Sequence, residues 1–232
     1  MAAANTEQSI AYFGIYFRGM LLALLGGLIG FIYMTSFTAL AFSSEAEYVV
    51  SLEETQGPTA RPRPGGAYYL VGDVSRTRTW QAKREQLAAV GEQTVKFKEG
   101  EINAWMIANL ASGAAPAEED QAGVLIIPSL PNVAIVTDGL VYFNLPTTIT
   151  AYGTTNDFMI SARLALDADG LQLQSLSVNS AKVPLPSLLG ARILNFLGQA
   201  YQSTEDYKIL SDALARADSV EVVGQELVFN LR

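Results

Sequence analysis

Gly19–Phe42 reads GMLLALLGGLIGFIYMTSFTALAF and carries no formal charge. As one α-helix, at ~1.5 Å per residue, it covers about 36 Å, enough to cross a hydrocarbon core of ~30 Å with some tilt. The stretch predicts a single membrane-spanning helix over 19–42, with a short N-terminus at 1–18 before it. Arg18 precedes the run, whereas Glu45, Glu47, Glu53 and Glu54 follow it before the next basic residue, Arg61. That bias predicts a cell (inner) membrane protein with 1–18 in the cytoplasm and the large domain outside, extracytoplasmic. Ala39-Leu40-Ala41 has the small-residue pattern of a signal-peptide cleavage site, which would free the domain after Ala41. The apolar run exceeds the ~7–15 residues of a signal core and the segment before it is not strongly basic, so the expectation is a permanent anchor. Within it, Ala23, Gly26, Gly27 and Gly30 form small-residue pairs four apart, a spacing that lets another helix approach closely, although glycine is also simply common in such helices.

About 190 residues remain after the helix, the size of one domain with linkers. The chain has no cysteine and no histidine. The first absence removes disulfides, thiolate ligands and thiol catalysis; the second removes the usual general base near neutral pH and the commonest metal ligand. The net charge of -8 is the wrong sign for neutralising phosphates along a nucleic acid, so no nucleic-acid partner is expected.

Residues 43–67 run from an acidic patch into Pro58, Arg61-Pro62-Arg63-Pro64 and Gly65-Gly66, and read as an irregular, partly extended linker to a folded domain at 68–232. Tyr68 to Val71 can form a strand and Thr79 to Val90 a helix stopped by Gly91. Arg76, Arg78, Lys83 and Arg84 make a basic cluster here, either a solvated helix face or a surface meeting anionic headgroups. Thr94 to Lys98 alternates like a half-buried strand, and Ile102, Trp105, Met106 and Leu110 fall on one face of a short helix. Ala111 to Gly123 reads as a loop whose Glu118-Glu119-Asp120 triplet is solvated surface, since calcium sites alternate their oxygen ligands with other residues.

Strands come next. Val133 to Val136 and Leu140 to Leu145 flank Thr137-Asp138-Gly139, a hairpin signal. Phe158, Ile160, Ala162, Leu164 and Leu166 alternate with polar or small residues, and Asp169-Gly170 turns the chain into Leu171 and Leu173. A change of phase at Ser175, before Leu176 and Val178, predicts a β-bulge and therefore a curved antiparallel meander of roughly five strands. Pro184-Leu185-Pro186 then opens a helix with Leu189, Ile193, Phe196, Leu197 and Ala200 on one stripe; a second helix over Glu205 to Ala217 turns Tyr207, Leu210 and Leu214 inward; and a hairpin over Val220 to Leu231 closes the chain and can join the sheet. The predicted class is α+β: one N-terminal transmembrane helix, then a curved antiparallel sheet packed on amphipathic helices.

A single N-terminal membrane helix, Glu101-Ile102-Asn103-Ala104, the turn Asp169-Gly170-Leu171-Gln172-Leu173, and Lys182-Val183-Pro184-Leu185-Pro186-Ser187 leading into an apolar helix together resemble the YpmS-like membrane-anchored proteins and, more distantly, the LmeA-like ones. Those are similar in outline to the tubular lipid-binding group, in which a curved sheet wraps a long helix around an apolar groove. The resemblance runs from about Phe97 to the C-terminus; Ser180-Ala181 departs from it where a glycine often precedes the Leu-Pro element. It implies lipid handling or support of envelope assembly, and it carries over no catalytic residue, cofactor or metal.

Read without the family, Phe158, Ile160, Leu164 and Leu166 on the concave face, with Leu189, Ile193 and Phe196 of the helix, form either a packed core or the walls of a ligand groove. The expected function is an anchored binding module with no covalent chemistry. The alternative is an accessory subunit whose helix packs, through Ala23, Gly26, Gly27 and Gly30, on other membrane proteins or a second copy. Asp138, Asp157, Asp167 and Asp169 sit in or beside turns, where aspartate forms turns more often than acid–base pairs. No enzyme is expected. The partners expected are membrane lipids and integral-membrane helices.

Overall fold

The computed structural model describes residues 2–57, 68–110, 124–136, 139–167, 170–202 and 204–232, and side-chain surroundings from residue 16 onward except at 110, 124, 167, 170, 171, 196–198 and 200. In chain order the elements are helix α1 (Ala2–Thr35), strand β1 (Leu40–Phe42), α2 (Glu45–Gln56), β2 (Tyr68–Leu70), α3 (Thr79–Ala88), β3 (Gln93–Lys98), α4 (Glu99–Leu110), β4 (Val124–Pro128), β5 (Asn132–Val136), β6 (Leu140–Ala151), β7 (Thr154–Asp167), β8 (Gly170–Val178), β9 (Ala181–Val183), α5 (Leu188–Tyr201), α6 (Glu205–Arg216), β10 (Ala217–Val223) and β11 (Glu226–Leu231). The class is α+β.

Within α1, the 20 residues Tyr16–Thr35 are long and apolar enough to cross a membrane, and none is buried by the rest of the chain. An N-terminal signal sequence meets the same measure. The helix stops at Thr35, seven residues short of the predicted limit at Phe42. The hydroxyls of Thr35 and Ser36 turn back to the Ile32 carbonyl (2.7 and 3.2 Å), and the folded domain takes the freed carbonyls: Asn179 Nδ2 donates to Thr35 O at 2.6 Å and Ser180 N to Phe37 O at 3.1 Å. Leu40–Phe42 then pairs in parallel with Tyr68–Leu70. Ala39 is buried, and the Ala41 position lies inside this strand pair. Hydropathy is uniform through Phe42 because a helix able to cross a membrane and a strand in a protein interior both select apolar residues.

Part of the expected linker is ordered. Ser44 caps α2 by accepting from Glu47 N, and Glu47 accepts in return from Ser43 N at 2.7 Å, close to the capping-box pattern. Residues 58–67, with most of the prolines and glycines of that linker, lie outside the described residues, as do 111–123 with Glu118-Glu119-Asp120.

Two antiparallel sheets form the domain instead of one. In the larger, the order is β4-β6-β7-β8-β9, with β5 also on β6. β4 and β5 run in the same direction along β6, opposite Ala151–Thr147 and Asn144–Leu140 respectively, so they behave as one strand interrupted at Ser129-Leu130-Pro131. The bulge foreseen near Ser175 is present: the register against β7 shifts between Arg163, opposite Ser175, and Leu164, opposite Leu173. It keeps both Leu173 and Leu176 on the inner face. A two-residue turn at Tyr152-Gly153, both at positive φ (51 and 77), makes the long β6–β7 hairpin. The terminal hairpin does not join this sheet; it pairs with β3 in a three-stranded sheet ordered β10-β11-β3.

Three of the four apolar clusters among the described residues join the antiparallel sheets and their helices. Trp80, Leu87, Phe97, Trp105, Ala213 and Phe229 fill the space between the small sheet and α3, α4 and α6. Met106, Val133, Ile135 and Val141 connect the sheets, with Leu164, Leu166, Val222 and Leu227 around them. Leu145, Ile160, Ala162, Leu176, Val183 and Tyr201 line the inner face further along, and Phe31 of α1 packs into this group. Phe31 and the carbonyls of Thr35 and Phe37 thus join the end of α1 to the large sheet.

Helix α4 is fastened to β5 by side chains that act as a strand. One edge of β5 pairs with β6; at the other, Glu99 accepts from Ile135 N (2.8 Å), and the fully buried Asn103 accepts from Val133 N (2.7 Å) while donating to Val133 O and Asp73 O (both 2.8 Å). Residues four apart on a helix thus satisfy an edge that water cannot reach. Gly72 crosses the same edge so closely that a Cβ there would lie 1.9 Å from Val133 O. The Glu-Ile-Asn-Ala segment is in this respect a docking element.

Candidate functional site

Packing of α4 and α6 over the large sheet leaves an apolar cavity of about 210 Å³, walled by Ile102, Trp105 and Met106 of α4, Pro131 just before β5, Phe143 of β6, Tyr201 at the end of α5, and Asp206, Tyr207 and Leu210 of α6. These residues face one another for local reasons. Ile102, Trp105 and Met106 share one helical face of α4. Thr204 caps α6, accepting from Tyr207 N at 3.2 Å, so that Asp206, Tyr207 and Leu210 come off its first turns toward α4.

Asp206 and Tyr201, two of the polar groups in the wall, are already engaged. Asp206 Oδ1 accepts from Trp105 Nε1 at 2.8 Å and from Arg84 Nε at 2.5 Å, and Arg84 also pairs with Glu205 at 3.2 Å. The hydrogen bond to Asp206 is the main reason that the Arg84 guanidinium is held above its ordinary pKa. Burial pushes the Tyr201 phenol up to about 12, so it stays protonated and donates to Ser129 O at 2.9 Å. What remains facing the void is hydrocarbon and aromatic surface.

None of the expected groove residues whose side chains are described lines this cavity. Ile160 is in the inner-face cluster with Ile193 packed on it, Leu164 and Leu166 lie against the cluster joining the sheets, and Phe158 is half-buried further along β7. Leu189 points outward at 43 % exposure, next to Leu188 at 87 %, and the side chain of Phe196 lies outside the described residues. The start of α5 thus faces outward, while Ile193 and Tyr201 pack in the inner-face cluster; Leu214 of α6 is also exposed, with Ala213 buried in its place. The cavity residues Trp105, Met106, Tyr207 and Leu210 were legible as inward helical positions, but their convergence was not.

Ala23, Gly27 and Gly30 line a groove between α1 and the segment Ser180–Lys182 and Pro184, with Met20, Leu24, Phe31 and Met34 around them; Gly26 lies outside that lining, with nothing within 4 Å of an added Cβ. The basic cluster is divided. Lys83 pairs with buried Glu101 at 2.5 Å and Arg84 with Asp206, while Arg76 and Arg78 are exposed. Burial raises the Glu101 carboxyl pKa, but hydrogen bonds from Lys83, Thr79 and Lys98 N outweigh it and leave the group below its ordinary value. Of the turn aspartates, Asp157 accepts from the Thr148 hydroxyl at 2.7 Å; Asp138, Asp169 and the side chain of Asp167 lie outside the described residues. No protein-family model matches this chain, and no curated protein is significantly similar to it.

Proposed function

We propose that this protein is a membrane-anchored, non-catalytic domain that holds an apolar group in the cavity between α4, α6 and the large sheet, with α1 as the anchor, the N-terminus in the cytoplasm and the domain outside. The observation that carries the reading is the cavity wall, whose one carboxylate is already engaged by Trp105 and Arg84. Its ~210 Å³ exceeds the ~150 Å³ that takes up benzene and falls short of the ~300–1,000 Å³ of common ligand pockets. That size selects one ring or the end of one acyl chain. The fit to the lipid-handling role implied by the resemblance is in chemistry and not in the location first expected.

The full chain purified in a mild detergent is expected to carry an apolar molecule in native mass spectrometry, and Leu210→Trp, which fills the cavity, is expected to lose it while keeping the wild-type circular dichroism. A wild-type protein that carries no such molecule and binds no hydrophobic dye would refute the reading.

A second reading, an accessory subunit, is favoured by one observation: the small-residue face of α1 is uncovered and lines an open groove. A partner helix could approach there closely. Migration of a detergent-solubilised complex that is unchanged when Gly26 and Gly30 become Leu would dispose of it.

A further inference from the structure

On the face of the large sheet turned away from the apolar cavity, the register lines up polar residues. Tyr142, Arg163 and Ser175 are directly opposite one another, and beside them stand Asn144, Ser161, Ser177 and Lys182. Tyr68 of β2 overhangs the first row, its hydroxyl 3.5 Å from that of Tyr142. Apart from Asn144, these residues enclose a cavity of about 50 Å³.

The cations in it lack partners. Arg163 Nε is buried without a hydrogen bond, and its guanidinium carbon sits 5.7 Å from the centre of the Tyr142 ring. Among the described residues neither Arg163 nor Lys182 forms an ion pair. Glu45 is the carboxylate close enough to be felt by Tyr142, and it is paired with neither cation. A buried guanidinium donor left without a partner is a costly arrangement, because buried donors are nearly always satisfied, and an exposed second cation beside it adds solvent-screened repulsion. An oxyanion removes both costs.

We propose that this cavity binds a phosphate group. The space compares with ~10–15 Å³ for one water, so it has room for a group with four oxygens. Arg163 supplies fork-shaped donors, Lys182 a point charge, and the hydroxyls of Ser175 and Tyr68 rotatable donors, while Ser161 already donates to Asn144 Oδ1 at 2.6 Å. Lys182 also lines the groove along α1, so the phosphate can belong to a lipid whose chain lies in that groove or to a free phosphate ester. This proposal does not rest on the apolar cavity, and either can fail alone.

The test uses the full chain in maltoside detergent, titrated calorimetrically with inorganic phosphate, alongside a phosphorus assay of lipid retained after detergent exchange. Binding of inorganic phosphate that weakens roughly tenfold in Lys182→Gln, the scale of one lost charge-assisted hydrogen bond, is lost in Arg163→Gln and is unaltered in Lys208→Gln supports the site with a free ester as occupant. No titration, but retained lipid phosphorus that falls at least severalfold in both variants, supports it with a lipid headgroup as occupant. Lys182 is exposed, so its variant reports even if Arg163→Gln misfolds. Phosphate binding or retained phosphorus equal in wild type and Lys182→Gln, or neither signal in wild type, overturns the proposal.

Discussion

Asn103→Ala removes a side chain that stands in for a β-strand. Three hydrogen bonds go with it, two to the backbone of Val133 and one to Asp73 O. Asp73 is exposed, so water replaces its partner at little cost. Val133 is buried beneath α4, and each of its stranded backbone groups costs ~1–3 kcal/mol. The sum, about 2–6 kcal/mol, is a large share of the ~5–15 kcal/mol that holds a typical domain together. Urea unfolding of the full chain in detergent, followed by the fluorescence of buried Trp80 and Trp105, reads it directly. The exposed pair Thr94–Asn230 (2.9 Å) provides a control, with Thr94→Ala expected within ~0.5 kcal/mol of wild type. Amide exchange at Val133 is expected to accelerate in Asn103→Ala and not in the control. A loss below about 1 kcal/mol, or unchanged exchange at Val133, would refute the idea that α4 completes the edge of β5.

Gly72→Ala places a Cβ against the Val133 carbonyl at 1.9 Å and is expected to lower stability by ~4 kcal/mol or more; a wild-type melting curve would contradict the close crossing. The folded-state pKa of Glu101 is depressed, so its contribution is present above the unfolded value of ~4.3 and is lost as pH falls through the lower folded value. Glu101→Gln should therefore destabilise at neutral pH and converge on wild type in acid, and a difference in melting temperature that is constant with pH would count against the Lys83–Glu101 pair. Asn179 sits at φ 49 and donates to Thr35 O while accepting from Met159 N at 2.7 Å. Asn179→Gly keeps the backbone and removes both bonds, so the distribution of distances between spin labels at Ile32 and Lys208 should broaden; an unchanged width would mean that Phe31 and the Ser180–Phe37 backbone bond hold the helix end without Asn179.

Local pattern was enough for most of the elements. The alternation in Phe158–Leu166, the phase change at Ser175 and the apolar stripe of α4 are each read within a few residues, and each is present. The capping pair Ser44 and Glu47 is equally local and marks α2, but the prolines and glycines after it dominate the composition of 43–67 and obscure it. Other features were beyond any local reading. The pairing of β11 with β3 joins positions 226–231 to 93–98, and nothing in either segment favours β3 over an edge of the large sheet. The cavity likewise needs residues from α4, the sheet and α6 to meet, and the polar pocket needs strands from β2 to β9.

By itself the amino-acid sequence determined the features that short-range periodicity and hydropathy control: an N-terminal helix able to cross a membrane, the α+β class, most of the elements after residue 68 and the bulge that bends the sheet. Only the tertiary structure decided where the helix ends and the domain begins, which face of each element finds a partner, and where space is left. An apolar residue reports that it avoids water; it does not report whether lipid, a neighbouring strand or an empty cavity lies on the other side.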